Sequence, residues 1–198
     1  MTYTLLKNYS GIFAIIITIV AFVPYIKSIL QNKIKPHVFT WVIWSSATLT
    51  VFFAELFSGG GMGCWAIGLS GCISVVIALL SLIKKCDKHI TKSDWICFIS
   101  GILAIPIWIV TKDPLWSVLL LTAIDVTGYI PTIKKVSKDP YSDSVAMFTL
   151  TSLRNVFSII ALDEKILTNI IFQAATITGN MLIVCIIVYK KYLKNSQK

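Results

Sequence analysis

The sequence predicts an all-α integral membrane protein: seven transmembrane helices, arranged as two parallel three-helix bundles plus a linker helix (3+1+3). Three observations carry this expectation, namely long apolar runs, one-sided placement of lysines, and an internal repeat. Hydrophobic residues make up 56% of the 198 residues and charged residues 14%, with a mean hydropathy of +0.81. Soluble domains carry about 45–50% apolar and about 25% charged residues.

Seven apolar runs can be read, over residues 9–31, 37–57, 62–83, 93–110, 115–134, 144–161 and 167–189. Each suffices to cross about 30 Å of hydrocarbon at about 1.5 Å per residue. Together they leave no room for a soluble domain. The first run follows Lys7 as in a signal peptide, but it continues to Tyr25 without a small-x-small cleavage site. A retained helix is therefore expected.

The formal net charge of +9 is distributed unevenly. With the loops numbered alternately, one side holds Lys27, Lys33, Lys35, Lys84, Lys85, Lys88, Lys92, Lys134, Lys135, Lys138, Lys190, Lys191, Lys194 and Lys198. The other side holds Lys7, Lys112 and Lys165, and Arg154 lies within a span. By the positive-inside rule the N-terminus is outside and the C-terminus cytoplasmic, in a multi-pass protein of the cell (inner) membrane. This placement speaks against nucleic acid as the partner and for the lipid bilayer.

The repeat appears when the chain is slid against itself by 107 residues. Pro24 then meets Pro131, Ile26 meets Ile133, Lys27 meets Lys134, Val38 meets Val145, Ser45 meets Ser152 and Ala54 meets Ala161. At one residue less, Lys84-Lys85 meets Lys190-Lys191 and Ser74 meets Asn180. The expected units are residues 1–90, a linker helix at 91–113, and residues 114–198. An odd linker restores the orientation, so both triplets run the same way, an architecture of transporters with the site where repeats meet.

With its outside N-terminus, its 3+1+3 spans and a proline-plus-basic turn after the first helix of each repeat, the chain resembles the SWEET and PQ-loop superfamily. It carries Pro24-Tyr25 and Pro131-Thr132 where PQ-loop proteins have Pro-Gln, and Pro36 and Pro140 fall in loops. The resemblance implies a small-solute transporter with Pro24 and Pro131 as gating hinges. It also implies a pocket asparagine at Asn180, with Ser74 at the matching position of the third span. A proline inside a helix removes a backbone hydrogen bond and kinks it; gate and static bend are both open readings.

Polar residues within the spans recur at helical spacing. They include Trp41, Trp44, Ser45, Thr48 and Glu55 in the second span and Ser70, Ser74 and Ser81 in the third. Thr122, Asp125, Tyr129 and Thr132 follow in the fifth, Thr151, Arg154, Asn155 and Ser158 in the sixth, and Asn169, Gln173, Thr176 and Asn180 in the seventh. Each set shares one helical face, and such faces are expected to turn inward. By depth, Asp125 and Arg154 both reach the midplane and are expected to pair, as a structural lock, a substrate anchor or a protonatable switch. Trp44 is a candidate for stacking on a sugar ring or heterocycle, while Trp41, Trp95, Trp108 and Trp116 read as interfacial anchors. The candidate substrate-binding residues are Asn180, Trp44, Thr48, Asp125, Tyr129, Arg154, Asn155, Gln173 and Ser74.

Other classes fit less well. The five cysteines form no CxxC pair, the two histidines (His37, His89) lack ligand spacing, and no metal or cofactor is expected. A retinal protein needs a lysine midway along the seventh span, and residues 167–189 contain none. GGGMGCW at 59–65 lacks the Lys-Ser/Thr of a phosphate loop and reads as a tight turn. An enzyme is not expected. The expectation is a transporter of a small polar solute (a sugar, an amino acid or a vitamin-like heterocycle), with homo-oligomerisation open. The alternative is a receptor or assembly scaffold on the same fold, of the kind the KDEL receptor exemplifies.

Overall fold

In the computed structural model of the chain, the described residues are 2–84 and 114–196, with Trp95 and Ile99 between them. They form six helices: α1 (Thr2–Leu30), α2 (Val38–Phe57), α3 (Gly63–Ile83), α4 (Pro114–Lys138), α5 (Val145–Ala161) and α6 (Leu167–Ser196). Apart from Trp95 and Ile99, the expected span at 93–110 falls outside the described residues, as do Trp108, His89, Cys86 and Cys97.

Local chemistry explains the breaks between helices. After α1, Asn32 adopts φ 58°, a left-handed position that asparagine tolerates at a helix end. Pro36 then forces its predecessor out of helical geometry before α2 begins. Between α2 and α3, Gly59 (φ 75°) and Gly61 (φ 58°) make a tight turn that residues with a Cβ would strain. Before α5, the Ser144 side chain accepts from the Met147 N–H and caps the helix. Pro24 and Pro131 interrupt neither α1 nor α4, which run on to Leu30 and Lys138. Each proline still leaves one carbonyl of the preceding turn without its helical partner.

Four of the six helices include stretches long and apolar enough to cross a membrane: Thr4–Leu30, Val38–Phe57, Gly63–Ile83 and Asn169–Ser196. That is fewer than the seven spans read from the sequence. At 17 residues α5 is shorter, and α4 interleaves Asp125, Thr122, Thr127 and Tyr129 with its apolar residues. The outward faces are mostly apolar, with Ile12, Ile16, Leu79, Val126, Val156 and Val188 all exposed. The polar stripes lie inside, with Ser45, Ser81, Thr122, Thr132, Arg154, Asn155 and Asn169 buried. Apolar outside and polar inside inverts the pattern of a water-soluble bundle and suits a chain whose solvent is lipid.

The helices close into a ring. α1 packs against α3, α3 against α2, α2 against α4, α4 against α6, α6 against α5, and α5 returns to α1. Neighbours in sequence, α1 and α2 do not pack backbone to backbone, and neither do α4 and α5; large side chains such as Tyr25 and Trp41 meet across the interior instead. This adjacency is unchanged when α1, α2 and α3 are exchanged for α4, α5 and α6. Small residues allow close approach. A Cβ on Gly68 would meet the Phe52 ring at 2.7 Å, and one on Gly63 the Ser158 carbonyl oxygen at 2.7 Å.

The two ends of the ring are held differently. At the lysine-rich end, Lys84 Nζ donates to the Leu30 carbonyl, and Lys191 sits 4.9 Å from the centre of the Tyr141 ring. There too, Lys135 Nζ pairs with Asp143 and donates to the Lys35 carbonyl at 3.1 Å. At the opposite end, Lys7 Nζ pairs with Asp163 at 3.0 Å, joining the start of α1 to the loop after α5. α1 and α4 therefore both finish at the lysine-rich end.

Candidate functional site

A small cavity lies inside the ring. Its wall is built by Phe22 of α1; Trp41, Trp44 and Thr48 of α2; Ser70 and Ser74 of α3; Asp125 and Tyr129 of α4; Met147, Thr151 and Arg154 of α5; and Phe172, Thr176 and Asn180 of α6. Every helix contributes. The cavity measures about 40 Å³, room for about three waters and too little for a sugar ring.

Of the residues singled out in the sequence, Asn180, Trp44, Thr48, Asp125, Tyr129, Arg154 and Ser74 line this cavity. Asn155 is buried beside it but not in its wall, and Gln173 is engaged elsewhere, with Glu55. Pro24 and Pro131 stand outside the wall. Trp41 is not an interfacial anchor: it is 2% exposed, its ring 5.4 Å from those of Trp44 and Tyr25. Trp95 and Trp116 are exposed.

Asp125 and Arg154 do not pair. No Arg154 nitrogen comes within 4.0 Å of an Asp125 carboxylate oxygen. The ring explains the miss, because α6 stands between α4 and α5, so the two charges face each other across the cavity. Arg154 Nη1 instead donates to the Ala66 carbonyl of α3 at 3.1 Å. Its Nε is buried without a partner, as are Asp125 Oδ2 and Asn180 Nδ2. Buried polar atoms are normally satisfied by protein or ordered water, so three orphans around a cavity with room for about three waters mark it as a polar, hydratable interior.

Toward the lysine-rich end an aromatic cluster closes the cavity. Trp44 lies 4.9 Å from Tyr129 and 6.3 Å from Phe148, and Trp41 lies 6.2 Å from Phe22. Backbone contacts hold these rings. Trp44 Nε1 donates to the Asp125 carbonyl at 3.2 Å, and the single O–H of Tyr129 is shared between Asn180 Oδ1 and the Thr176 carbonyl, both at 3.2 Å. Gly128 and Gly179 leave the room required: a Cβ there would meet Trp44 Nε1 at 2.7 Å and the Tyr129 ring at 2.6 Å.

Two consequences are measurable by unfolding in detergent. Gly179→Val should cost about 1–3 kcal/mol, the usual penalty of overpacking, by driving Tyr129 off Asn180. Trp44→Phe should cost about 0.5–1.5 kcal/mol, the worth of its one hydrogen bond. A Gly179→Val protein as stable as wild type would show that the Tyr129 ring is not fixed there.

The cavity also displays the sequence repeat. At the 107-residue offset Phe22 matches Tyr129 and Trp44 matches Thr151; at 106, Ser70 matches Thr176 and Ser74 matches Asn180. All eight line the wall. The charges break this correspondence, since Asp125 matches Thr18 and Arg154 matches Ala47. Phe22, Trp41, Met147 and Phe172 of the wall were missed as members of the site, as was Phe148 of the aromatic cluster beside it. Trp41 and Phe148 match at the same offset, a signal that the repeat already contained.

A larger groove of about 520 Å³ lies on the outside, lined by Ile15, Phe52, Met62, Trp65, Gly68, Leu69 and Cys72. It offers no charged group and faces where lipid would be. Among the described residues, no group of three His, Cys, Asp or Glu is placed to hold a metal ion. Comparisons of the chain with family models, curated proteins and solved structures each found no match. Fold and site together define a class: an all-helical chain, apolar outside, with a polar cavity enclosed by six helices.

Proposed function

We propose that this chain is a membrane transporter for a small polar solute, working by alternating access around the central cavity. In this reading α1–α3 and α4–α6 are parallel repeats joined by a linker helix at 91–113, in the manner of the SWEET and PQ-loop superfamily. The N-terminus faces outside and the lysine-rich end the cytoplasm. The observation that carries the reading is a cavity at the centre of the ring, with orphaned atoms of Asp125, Arg154 and Asn180 around it.

The cavity's size makes motion part of the mechanism. A solute larger than a few waters enters only if the aromatic cluster or the opposite end parts. The prolines supply bending points, because Pro24 and Pro131 each weaken a helix within one turn of an aromatic of that cluster. Once inside, Arg154 would hold a carboxylate or a hydroxyl oxygen, Asp125 would accept from an ammonium or hydroxyl, and Trp44 and Tyr129 would flank a ring.

The test is a thermal-shift screen of the purified protein against sugars, amino acids, nucleosides and vitamins, with uptake into vesicles measured for each hit. A stabilising solute that is carried across, and whose effect disappears in Asn180→Ala, is the expected result. Stabilisation by partner proteins alone, with no solute moved, would favour a receptor or scaffold built on the same ring.

A further inference from the structure

A second buried polar group lies away from the cavity. Glu55 sits on α2 two turns beyond Thr48, about 10 Å toward the end marked by Lys7, and its side chain is fully buried. Across from it on α6, Gln173 is also fully buried. Gln173 Nε2 donates to Glu55 Oε1 at 3.3 Å and to the Asn169 carbonyl at 3.2 Å. Both neighbours are acceptors, so the amide must point its nitrogen at them, and both of its N–H groups are used. Two oxygens remain buried without a partner: Glu55 Oε2 and Gln173 Oε1.

Neighbouring groups do not supply the missing donor. α2 packs against α3, α4 and α6. On α3 the titratable group is Cys64, whose thiol donates to the Gly61 carbonyl at 3.1 Å. On α4 it is Asp125, which lines the cavity and is itself an acceptor. On α6, Gln173 and Asn169 do not titrate. Farther off, Arg154 of α5 is turned to Ala66, Asp163 is paired with Lys7, and Glu164 is exposed. None of the described cations lies within 4.0 Å of the Glu55 carboxylate.

We propose that Glu55 and Gln173 form a proton-binding site. The proton sits on Glu55 Oε2, and the neutral acid closes a two-bond ring with the carboxamide: Gln173 Nε2–H to Glu55 Oε1, and Glu55 Oε2–H to Gln173 Oε1. One proton shared between them satisfies both orphaned oxygens without any further heavy atom. The ring also ties α2 to α6. If α2 and α6 part, water reaches Glu55, the proton leaves to the bulk at that end, and the tie is undone. In the transporter reading, on which this last step rests, Glu55 couples a proton to opening, while Asp125 is left to the solute.

Infrared difference spectroscopy of the full chain in lipid, between acidic and alkaline buffer, tests the site. The expected result is a protonated-carboxyl C=O band sensitive to deuterium exchange. It should be lost in Glu55→Gln, displaced to higher frequency in Gln173→Leu, and retained in Asp125→Asn. A band unchanged in Glu55→Gln, or no such band in wild type, would overturn the proposal. So would thermal stabilisation by sodium over choline that vanishes in Glu55→Gln, since a metal ion would then occupy the site. The band is read without any solute, so its presence alongside a failure to find flux would count against transport alone.

Discussion

Arg154→Leu is expected to abolish saturable solute uptake by the reconstituted protein while leaving the chain folded. Arg154 is the one arginine in the sequence and is buried within α5. Placing such a charge at the centre of a membrane helix costs roughly 2.5–3.5 kcal/mol, so a leucine there does not burden folding or insertion. What disappears is a hydrogen bond to the Ala66 carbonyl and the unpartnered Nε of a residue that lines the cavity. Hydrogen bonds to a charged group are worth about 1.5–3 kcal/mol, or roughly ten- to a hundredfold in affinity for each one a solute would make. Arg154→Lys keeps the charge but loses the planar fork, and uptake should fall by about tenfold or more. Asp125→Asn should discriminate among solutes, sparing those without an ammonium group. Vesicle uptake paired with a stability measurement checks all three. Wild-type uptake by a folded Arg154→Leu protein would remove Arg154 from the solute's path.

Asp143→Ala is expected to destabilise the protein by about 3–5 kcal/mol, the usual cost of stripping one partner from a buried ion pair. The side chains of Lys135 and Asp143 are 8% and 2% exposed. Lys135 also reaches the Lys35 carbonyl, and Asp143 Oδ1 accepts from the Ser144 N–H at 2.9 Å, next to the cap of α5. One ammonium thus ties the end of α4, the start of α5 and the connection between α1 and α2. A double replacement, Lys135→Met with Asp143→Leu, should recover much of the loss, because neither charge is then left alone. Chemical unfolding in detergent micelles measures both. An Asp143→Ala protein unfolding at the wild-type midpoint would show that the pair is solvated rather than buried. The opposing pair, Lys7 with Asp163, is open to solvent on the Asp163 side, where its side chain is 56% exposed, and should matter by about 1 kcal/mol or less. The two ion pairs thus contribute unequally to stability.

Much of this was legible in the sequence because a chain suited to lipid has few choices. Helix after helix must satisfy its own backbone, so apolar runs with short interruptions mark helices with little ambiguity. The boundaries agree within a few residues for α2, α3 and α5. α1, α4 and α6 run past the apolar stretches at their N-terminal start, at their lysine-rich end, or at both. Polar stripes at helical spacing foretold which faces are buried, because a polar face toward hydrocarbon is costly. Asn180, Trp44, Ser74 and Tyr129 reach one cavity for that reason.

Pairings between helices were not legible. The expected contact between Asp125 and Arg154 came from depth alone. Depth places a residue along the axis of the ring but not around it, and α6 inserts between α4 and α5. Trp41 was misread for a related cause: an aromatic one turn inside a helix end suits an interface equally with a bundle core, and only packing against Tyr25, Phe22 and Trp44 decides. Glu55 stood in a polar stripe as its outermost member, yet nothing in the spacing indicated that Gln173, 118 residues away, would offer it an amide. Composition and periodicity by themselves determined that the chain is helical, apolar outward, polar inward and internally repeated, since these properties belong to each helix alone. The order of helices around the ring, the partner of each buried charge and the smallness of the cavity were decided only by tertiary structure. They depend on how six helices share one interior, a constraint that no single helix carries.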